Sequence, residues 1–211
     1  MRKIRIFASL LVVLGVILIT LGLHPQWYIG RLQTTFTQQP KLAISNQVPA
    51  KAKVKYGDNT EVDSWWQLHQ NAKLPEKLYL RGHVAIPALQ INLPIYEGTS
   101  DRALALGAGT VVPNESMGER NFIIGAHNMA DNQTFFSPLQ KRFKLGMIAT
   151  LTDHGHTYKY RLTAKKIVSQ TDVSVLNDTA AATITLITCY EVPPYYTHAT
   201  QRIIITGELI R

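Results

Sequence analysis

Residues 183–189 read TITLITC, a short run of β-branched and apolar residues that ends on the only cysteine of the chain. This composition predicts a β-strand, in which successive side chains point to opposite faces. Thr185, Ile187 and Cys189 then share one face, and Cys189 lies at the strand end beside a loop. A cysteine without a disulfide partner is either a small buried hydrophobe or a reactive thiol.

The following run of the same kind is RIIITGELI, at 202–210, and twelve residues separate it from Cys189. When two successive strands pair antiparallel, the end of the first lies beside the start of the second. This pairing predicts that Arg202 lies near Cys189. Taken alone, Arg202 is better interpreted as a solvated strand arginine or as a partner of Glu191 or Glu208.

Further strand-like runs alternate with Gly, Pro and Asn turns upstream of this pair. They occupy residues 82–87, 90–97, 107–112, 121–126, 147–153 and 156–168. DHGH, at 153–156, predicts a hairpin turn. Eight strands can close into a filled barrel without free edges. We therefore predict an all-β fold, a closed eight-stranded barrel, with one or two short helices at 137–146 and around 63–73.

The N-terminus carries an uncharged apolar run of 18 residues at 6–23. As a helix it would span about 27 Å, close to the hydrocarbon thickness of a bilayer. It is longer than a signal-peptide core, and no small-residue cleavage site follows. Arg2, Lys3 and Arg5 precede it and favour a cytoplasmic N-terminus. We predict a single-pass transmembrane signal anchor in the plasma membrane, with the rest of the chain outside the cell.

The chain then divides into a cytoplasmic tail at 1–5, the anchor at 6–23, an extracellular connector at 24–79 and a globular domain at 80–211. Its 211 residues are 45% hydrophobic and 17% charged, which excludes a disordered chain. The net charge of +8 suits work near anionic membrane or wall polymers. No nucleic-acid-binding motif is present, so no nucleic-acid partner is predicted.

Among seven histidines, His127 stands out because it ends the run NFIIGAHN, directly after an apolar strand. An imidazole at a strand mouth is held by the sheet and still faces a ligand, although a surface-loop histidine fits the pattern equally well. His154 and His156 flank the hairpin turn. No further ligands at metal-site spacing accompany them, so we interpret them as solvated turn residues.

Cys189, His127 and Arg202 together suit nucleophilic catalysis. A free thiol has a pKa of about 8.5 and is mostly protonated at neutral pH, so it needs a neighbouring base. An imidazole can take that proton and return it to a leaving amine. A guanidinium can stabilise the oxyanion that forms when the thiolate attacks a peptide carbonyl.

These residues resemble the sortase family, class A most closely. TLITC, at 185–189, matches the family's TLxTC signature, with His127 lying 62 residues upstream and Arg202 13 residues downstream. The resemblance extends in order through residues 80–211. It implies an eight-stranded sortase barrel and a cysteine transpeptidase that cleaves an LPxTG-type sorting motif between Thr and Gly. Cys189 would hold the acyl group as a thioester until an amine of a peptidoglycan precursor takes it, which anchors surface-protein precursors to the cell wall.

The same resemblance implies the roles of individual residues. His127 would be the acid/base and Arg202 the oxyanion or substrate clamp. The peptide groove would be lined by Thr188, Val173, Val175, Ile187 and Ile204. Tyr190 departs from the acidic or amide residue that follows the cysteine in many class A members, which leaves the preferred motif and precursor open.

Some family members bind calcium between acidic residues before the histidine strand and a carboxylate in the loop before TLxTC. Glu115 and Glu119 occupy the first region here, and Asp172 and Asp178 occupy the second. Dispersed carboxylates are weak support for a hard-cation site. We predict that no metal or other cofactor is required.

Several alternatives remain open from the sequence. A pilus-polymerising sortase, which joins pilin subunits, uses the same three residues and often carries a lid with an aspartate-aromatic motif; only Asp63-Ser64-Trp65 comes near it. A membrane-tethered binding module with a structural Cys189 belongs to a different class. L,D-transpeptidases have an SHGxxR-like stretch that this chain lacks, and papain-like proteases place the cysteine before the histidine.

Overall fold

A computed structural model describes the chain over residues 2–23, 48–49, 52–57, 62, 64–192 and 198–210. The prediction of eight strands is confirmed. They are β1 (Leu80–Ile86), β2 (Ile91–Tyr96), β3 (Ala108–Thr110), β4 (Asn121–Gly125), β5 (Ile148–Asp153), β6 (His156–Ser169), β7 (Thr183–Cys189) and β8 (Gln201–Leu209). The predicted runs overlap all eight.

The strands form a closed barrel in the order β1-β2-β3-β4-β7-β8-β6-β5. Most neighbours pair antiparallel, but β2 pairs with β3 and β4 pairs with β7 in parallel. The barrel is therefore mixed. The hairpin predicted at DHGH is confirmed, because β5 and β6 pair antiparallel as far as Asp153 and His156, and Gly155 adopts φ of 91° in the turn.

Among the described residues, four α-helices accompany the barrel: α1 (Arg2–Leu23), α2 (Trp65–Ala72), α3 (Asp101–Leu106) and α4 (Pro138–Lys141). Helices α2 and α4 agree with the sequence-based prediction, although α4 is shorter than the predicted 137–146. Helix α3 was not predicted; the Ser100 hydroxyl accepts from the Ala103 N–H and caps its first turn. In SDRALALG, the Ser before the helix and the Gly after it are helix boundary signals that were available.

Helix α1 covers the run for which a membrane-spanning segment was predicted, and several of its side chains, including Phe7, Leu11 and Leu18, are exposed. Within the described part of the chain, no helix combines the length and apolar character needed to cross a membrane. The predicted transmembrane span is thus not confirmed.

The core fills the barrel interior with large side chains. The bulkiest fully buried ones include Tyr96, Phe122, Phe136 and Tyr160. Tyr160 is also hydrogen bonded, since its hydroxyl accepts from the Gly118 N–H at 2.8 Å. Such packing against strands from the whole ring holds β4, β7 and β8 as one rigid wall.

Closure of the barrel depends on a close approach between β1 and β5. Gly82 lies at a register shift in β1 and has φ of 150°. A Cβ at this position would lie 2.1 Å from the carbonyl oxygen of Thr152. Only glycine fits here, because both the backbone conformation and the space exclude a side chain.

A buried ionic cluster lies on the β1–β2 side of the barrel. Arg81 and Glu97 form a salt bridge with side chains that are 7% and 1% exposed. The Tyr56 hydroxyl donates to the second oxygen of Glu97, and the Arg81 guanidinium donates to the Glu115 carbonyl at 2.7 Å. Residues 52–57 are thereby tied to the barrel, and the Thr99 N–H donates to the Lys55 carbonyl at 2.9 Å.

Candidate active site

Strand β7 lies between β4 and β8, and its C-terminal end is where the predicted catalytic residues meet. Cys189 is the register partner of Arg202 in the antiparallel β7–β8 pair. The predicted neighbourhood of these two residues is thus confirmed at the level of the backbone. Cys189 is partly exposed.

The other edge of β7 brings in His127. Strand β4 pairs with β7 as far as Gly125 and Ile187, and the Ala126 N–H donates to the Ile187 carbonyl at 3.2 Å. If this parallel register continued two residues further, His127 would be level with Cys189. The pairing of β4 with β7 crosses about 60 residues of chain, so strand alternation alone did not reveal it.

The imidazole of His127 is held in a largely apolar environment. Its ring meets that of Phe135 edge-on, with centroids 5.9 Å apart. The residue as a whole is partly exposed, but its Nε2 atom is buried and has no hydrogen-bond partner among the described residues. Burial lowers the pKa of His127 to about 4, while the charge of Asp101 opposes the shift. The ring is therefore neutral at pH 7, which leaves a ring nitrogen as an acceptor, and its burial makes it a weaker base than a solvated imidazole.

The loop that follows His127 is internally bonded. The Phe136 N–H donates to the His127 carbonyl at 3.0 Å, and Asn128 forms a β-bridge with Phe135. The Met129 N–H donates to the Ser137 hydroxyl at 2.7 Å. These bonds fold the loop back on itself at the strand mouth.

Side chains also join this loop to the end of β7. The Nδ2 group of Asn128 donates to the Cys189 carbonyl at 2.9 Å and to Oε1 of Gln140 at 2.6 Å. Gln140 in turn contacts the backbone of Glu191 through both ends of its amide. None of these contacts was predicted, because GAHN carries no signal beyond an Asn after the His.

Arg202 is oriented by neutral oxygens. Its Nη1 donates to the carbonyls of Ala199 at 2.6 Å and Gln201 at 3.0 Å, and its Nη2 donates to Oε1 of Gln170 at 3.2 Å. None of these three acceptors is charged. They hold the guanidinium without cancelling its positive charge, which suits a group that stabilises a developing oxyanion.

The residues predicted to line a peptide groove fall into two groups. Thr188 is 3% exposed and donates its hydroxyl to the Ala126 carbonyl at 2.8 Å, and Ile204 is 4% exposed. Val173, Val175 and Ile187 are at least partly exposed, with Val173 at 69%. The structure thus leaves three of the five accessible, and their role stays a prediction.

Val173 and Val175 lie on a 3₁₀ turn (Val173–Leu176) in the loop between β6 and β7. The side-chain amide of Asn121 fixes this loop, because its Nδ2 donates to the Asn177 carbonyl at 2.8 Å while its Oδ1 accepts from Thr185 at 2.7 Å. At the start of the turn, Asp172 accepts from the Ser174 N–H at 3.0 Å. The residue pattern alone had assigned no register to this loop.

The carboxylates considered for calcium are separated by their contacts. Glu115 accepts from the Ile123 N–H at 2.7 Å, Asp172 caps the 3₁₀ turn, and Asp178 forms an ion pair with Arg120. Burial raises the pKa of Glu115 to about 7. The described residues contain no cluster of three or more His, Cys, Asp or Glu side chains that could hold a metal ion. Independence from calcium stays a prediction.

A cavity of about 400 Å³ adjoins the site. It lies between the loop after His127, helix α4 and the segment after Cys189, and Asn128, Gln140, Lys141 and Glu191 are among its lining residues. Burial raises the pKa of Glu191 to about 7. One wall of the cavity is thus built from the same amides that join the loop to β7.

This barrel topology and three residues together define a class of proteins. The three are a cysteine at the end of β7, an arginine opposite it on β8 and a histidine just after β4. The family model for the sortase domain matches residues 84–210. The chain belongs to the sortase family.

Known relatives agree with this assignment. The chain is 34% identical over 152 residues to sortase A of Listeria monocytogenes, which covers 72% of this chain and 66% of that protein. It is 37% identical over 134 residues to sortase A of Streptococcus agalactiae, which covers 61% of this chain and 52% of that protein. The match thus spans half to two thirds of the length of these relatives. The crystal structure of the Listeria sortase A superposes with a TM-score of 0.58 at 36% identity, covering 63% of this chain and 88% of that one.

Proposed function

We propose that this protein is a cysteine transpeptidase of the sortase A type. It would cleave an LPxTG-type sorting motif between Thr and Gly and transfer the acyl group to an amine of a peptidoglycan precursor. The observation that carries the proposal is the register at the end of β7, which pairs Cys189 with Arg202 on β8 and runs parallel to β4, whose last residue lies two positions before His127.

In the first half of the reaction the thiol of Cys189 attacks the carbonyl carbon of the motif threonine. The neutral imidazole of His127 accepts the thiol proton, and the guanidinium of Arg202 stabilises the oxyanion. The C–N bond to glycine then breaks, and the imidazolium gives its proton to the departing amine. Cys189 is left holding a thioester.

In the second half an incoming amine attacks the thioester carbonyl. His127 takes a proton from the amine nitrogen, and Arg202 again stabilises the oxyanion. The C–S bond breaks, an amide forms, and the proton returns to the sulfur of Cys189. The bond count is the same on both sides, since one amide is exchanged for another and no redox step is involved.

The peptide would bind along the exposed faces of Val173, Val175 and Ile187. Thr188 and Ile204 would support this groove from beneath, because both are nearly buried. The reaction needs no metal or cofactor, and we expect turnover to be unchanged by calcium or by a chelator. A many-fold rise in turnover on adding calcium would contradict this expectation.

We propose the membrane arrangement that the sequence predicts. Residues 1–5 would lie in the cytoplasm, 6–23 in the plasma membrane, 24–79 outside as a connector, and the domain from residue 80 at the cell envelope beside its surface-protein and peptidoglycan substrates. Exposed apolar side chains on α1, such as Phe7 and Leu18, support membrane attachment. Recovery of the full chain in the soluble fraction after cell lysis would contradict it.

The test uses the full chain in detergent with an LPxTG peptide and either an oligoglycine or an alanine amine, and identifies products by mass. We expect a ligated peptide and release of the glycine fragment. Treatment with a thiol-alkylating reagent should label Cys189 and abolish turnover together. A binding module with a structural cysteine would give no turnover, whether or not the partly exposed Cys189 is labelled. Faster ligation of a pilin lysine, offered in place of these amines, would identify a pilus sortase.

A further inference from the structure

The side-chain amide of Gln140 forms hydrogen bonds to the backbone beyond Cys189, in the way that the backbone of a neighbouring strand would. Its Oε1 accepts from the Glu191 N–H at 3.1 Å, and its Nε2 donates to the Glu191 carbonyl at 2.6 Å. One amide thus satisfies both backbone groups of a residue that lies past the end of β7. Tyr190, the residue before Glu191, is hydrogen bonded to β8 instead, since its N–H donates to the Gln201 carbonyl at 3.0 Å.

Asn128 extends the contact toward the histidine. Its Nδ2 donates both to Oε1 of Gln140 and to the carbonyl of Cys189. Asn128 is the residue directly after His127 and is 8% exposed. The two amides therefore connect the residue next to the imidazole with the backbone of the residue that carries the sulfur.

Gln140 is itself fixed to the barrel wall. Lys165, on β6, donates from Nζ to the carbonyls of Leu139 at 2.9 Å and Gln140 at 2.6 Å. These bonds hold the end of α4, where a cation also interacts favourably with the last carbonyls. The chain of contacts runs from β6 through α4 to the carbonyl of Cys189 and to Asn128, the residue after His127.

We propose that Asn128 and Gln140 are positioning residues that set the imidazole of His127 against the sulfur of Cys189. The backbone ladder between β4 and β7 ends at Ala126, so that ladder does not fix His127 or the residues after it. Loop ends of this kind move more than the strands they leave. The side-chain amides of Asn128 and Gln140 take the place of the backbone hydrogen bonds that are missing beyond Ala126. Because both amides are neutral, they add no charge beside the reacting groups. The inference rests on the proposed function.

The experiment measures kcat and KM for peptide ligation with Asn128→Ala, Gln140→Ala and the double variant. We expect each single substitution to lower kcat by about 10- to 100-fold, since displacement of a catalytic group by about 1 Å has effects of that size. KM for the peptide should stay within about threefold, because the groove on the β6–β7 side is untouched. The double variant should be no slower than the slower single one, since both act through one contact chain.

Two controls separate positioning from general loss of structure. Asn92→Ala removes an exposed amide on β2 and should leave kcat unchanged. Ile86→Val trims a fully buried core residue on β1, so it should lower the thermal midpoint without lowering kcat. The pH profile of kcat should also move in the Asn128 and Gln140 variants and not in the controls, because only the former would shift the imidazole of His127 relative to the sulfur of Cys189.

The outcomes are distinct. Active wild type with Asn128→Ala and Gln140→Ala variants that fold and turn over at the wild-type rate would overturn the inference alone. The same is true if kcat in the Asn128 and Gln140 variants falls only in proportion to a fall in their thermal midpoints. A wild-type chain that ligates no peptide overturns the proposed function and this inference with it. Lower kcat, constant KM and a non-additive double variant support the inference.

Discussion

Two polar regions of the barrel differ in whether their buried polar atoms have hydrogen-bond partners. Around Arg81 and Glu97, every charged end meets a partner, and a tyrosine from residues 52–57 completes the set. At the mouth of β7, neutral amides bond the backbone, whereas Nε2 of His127 is buried without a hydrogen-bond partner in the described structure. An unpaired buried polar atom lowers stability. The ionic cluster around Arg81 and Glu97 therefore contributes to stability. The mouth of β7 instead contains a ring nitrogen of His127 that is available for a proton transfer.

If this contrast is correct, substitutions at the mouth of β7 should change rates and leave stability nearly intact. Substitutions in the ionic cluster should do the reverse. The largest effect is expected at Cys189, and the smallest is the pH dependence that arises from Glu115 and His127.

Cys189→Ala should abolish ligation, because no other group in the sequence can form a thioester. The residue is only partly buried, so the thermal midpoint should stay close to that of the wild type. Ligation is measured by mass and unfolding by circular dichroism. Residual ligation in the variant would show that the acyl group is carried elsewhere.

Arg81→Met should lower the free energy of unfolding by about 3–5 kcal/mol, the range for removing one partner of a buried ion pair. Glu97 would then be left buried with only Tyr56 as a side-chain partner. The matched control is Arg120→Met, whose ion pair with Asp178 is exposed and should be worth about 1 kcal/mol or less. Equal losses in urea unfolding would mean that the cluster contributes no more than a surface pair.

His127→Ala and Arg202→Ala should each lower kcat/KM by at least about 10²-fold, the scale for a missing proton shuttle or oxyanion donor. The free energy of unfolding should change little for His127→Ala, since the variant removes a buried unpaired nitrogen. Steady-state kinetics with the LPxTG peptide provide the measurement. A near-normal rate for Arg202→Ala would remove its assigned role.

Tyr56→Phe should lower the free energy of unfolding by about 1.5–3 kcal/mol, because it removes a hydrogen bond to a carboxylate. The rate of ligation should be unaffected, since Tyr56 lies on the β1–β2 side of the barrel. Tyr79→Phe removes a hydroxyl outside the cluster and serves as the control. A rate effect from Tyr56→Phe without a stability effect would contradict the division between the two regions.

Glu115→Gln should change how stability depends on pH. Burial raises the pKa of Glu115 to about 7 in the folded state, above its ordinary value of 4.5. Its contribution to stability is present below pH 4.5 and is lost as the pH rises through 7. The variant should therefore gain stability relative to wild type between about pH 5 and pH 8 in urea unfolding. Because Glu191 shifts in the same direction, only the difference between the two proteins isolates Glu115.

His127 has the opposite sign and provides an internal check. Its pKa is lowered to about 4, so stability is lost as the pH falls from 6.5 toward 4, where the unfolded chain binds the proton first. His127→Ala should remove that acid-side loss. If the free energy of unfolding of the variant still fell as the pH was lowered from 6.5 toward 4, another group would be responsible for the loss.

The part of the fold that the sequence predicted is the part governed by local pattern. Alternation defined the strands, and the short connection between β7 and β8 placed Arg202 beside Cys189. The parallel pairing of β4 with β7 depends on barrel closure, which no local run encodes. Helix α3 was missed because its residues lie between the predicted strand runs at 90–97 and 107–112 and were assigned to no element.

The supporting residues of the site could not be predicted from sequence for a related reason. Gln140 and Glu191 are 51 residues apart, and Asn128 and Cys189 are 61 apart. Their hydrogen bonds depend on packing of α4 against the barrel. Arg81, in β1, and Glu97, directly after β2, likewise look out of place among buried residues until their salt bridge is known.

Closure of the barrel has a consequence for how a peptide is recognised. From Thr183 to Ile187, β7 is bonded on one edge to β4 and on the other to β8, so this length of the strand offers no open edge to an extended chain. A peptide cannot dock on β7 by β-augmentation, in which backbone bonds supply sequence-independent affinity. Selectivity must then come from side-chain pockets and from the loops around them. Exchange of the β6–β7 loop between relatives should therefore carry motif preference with it.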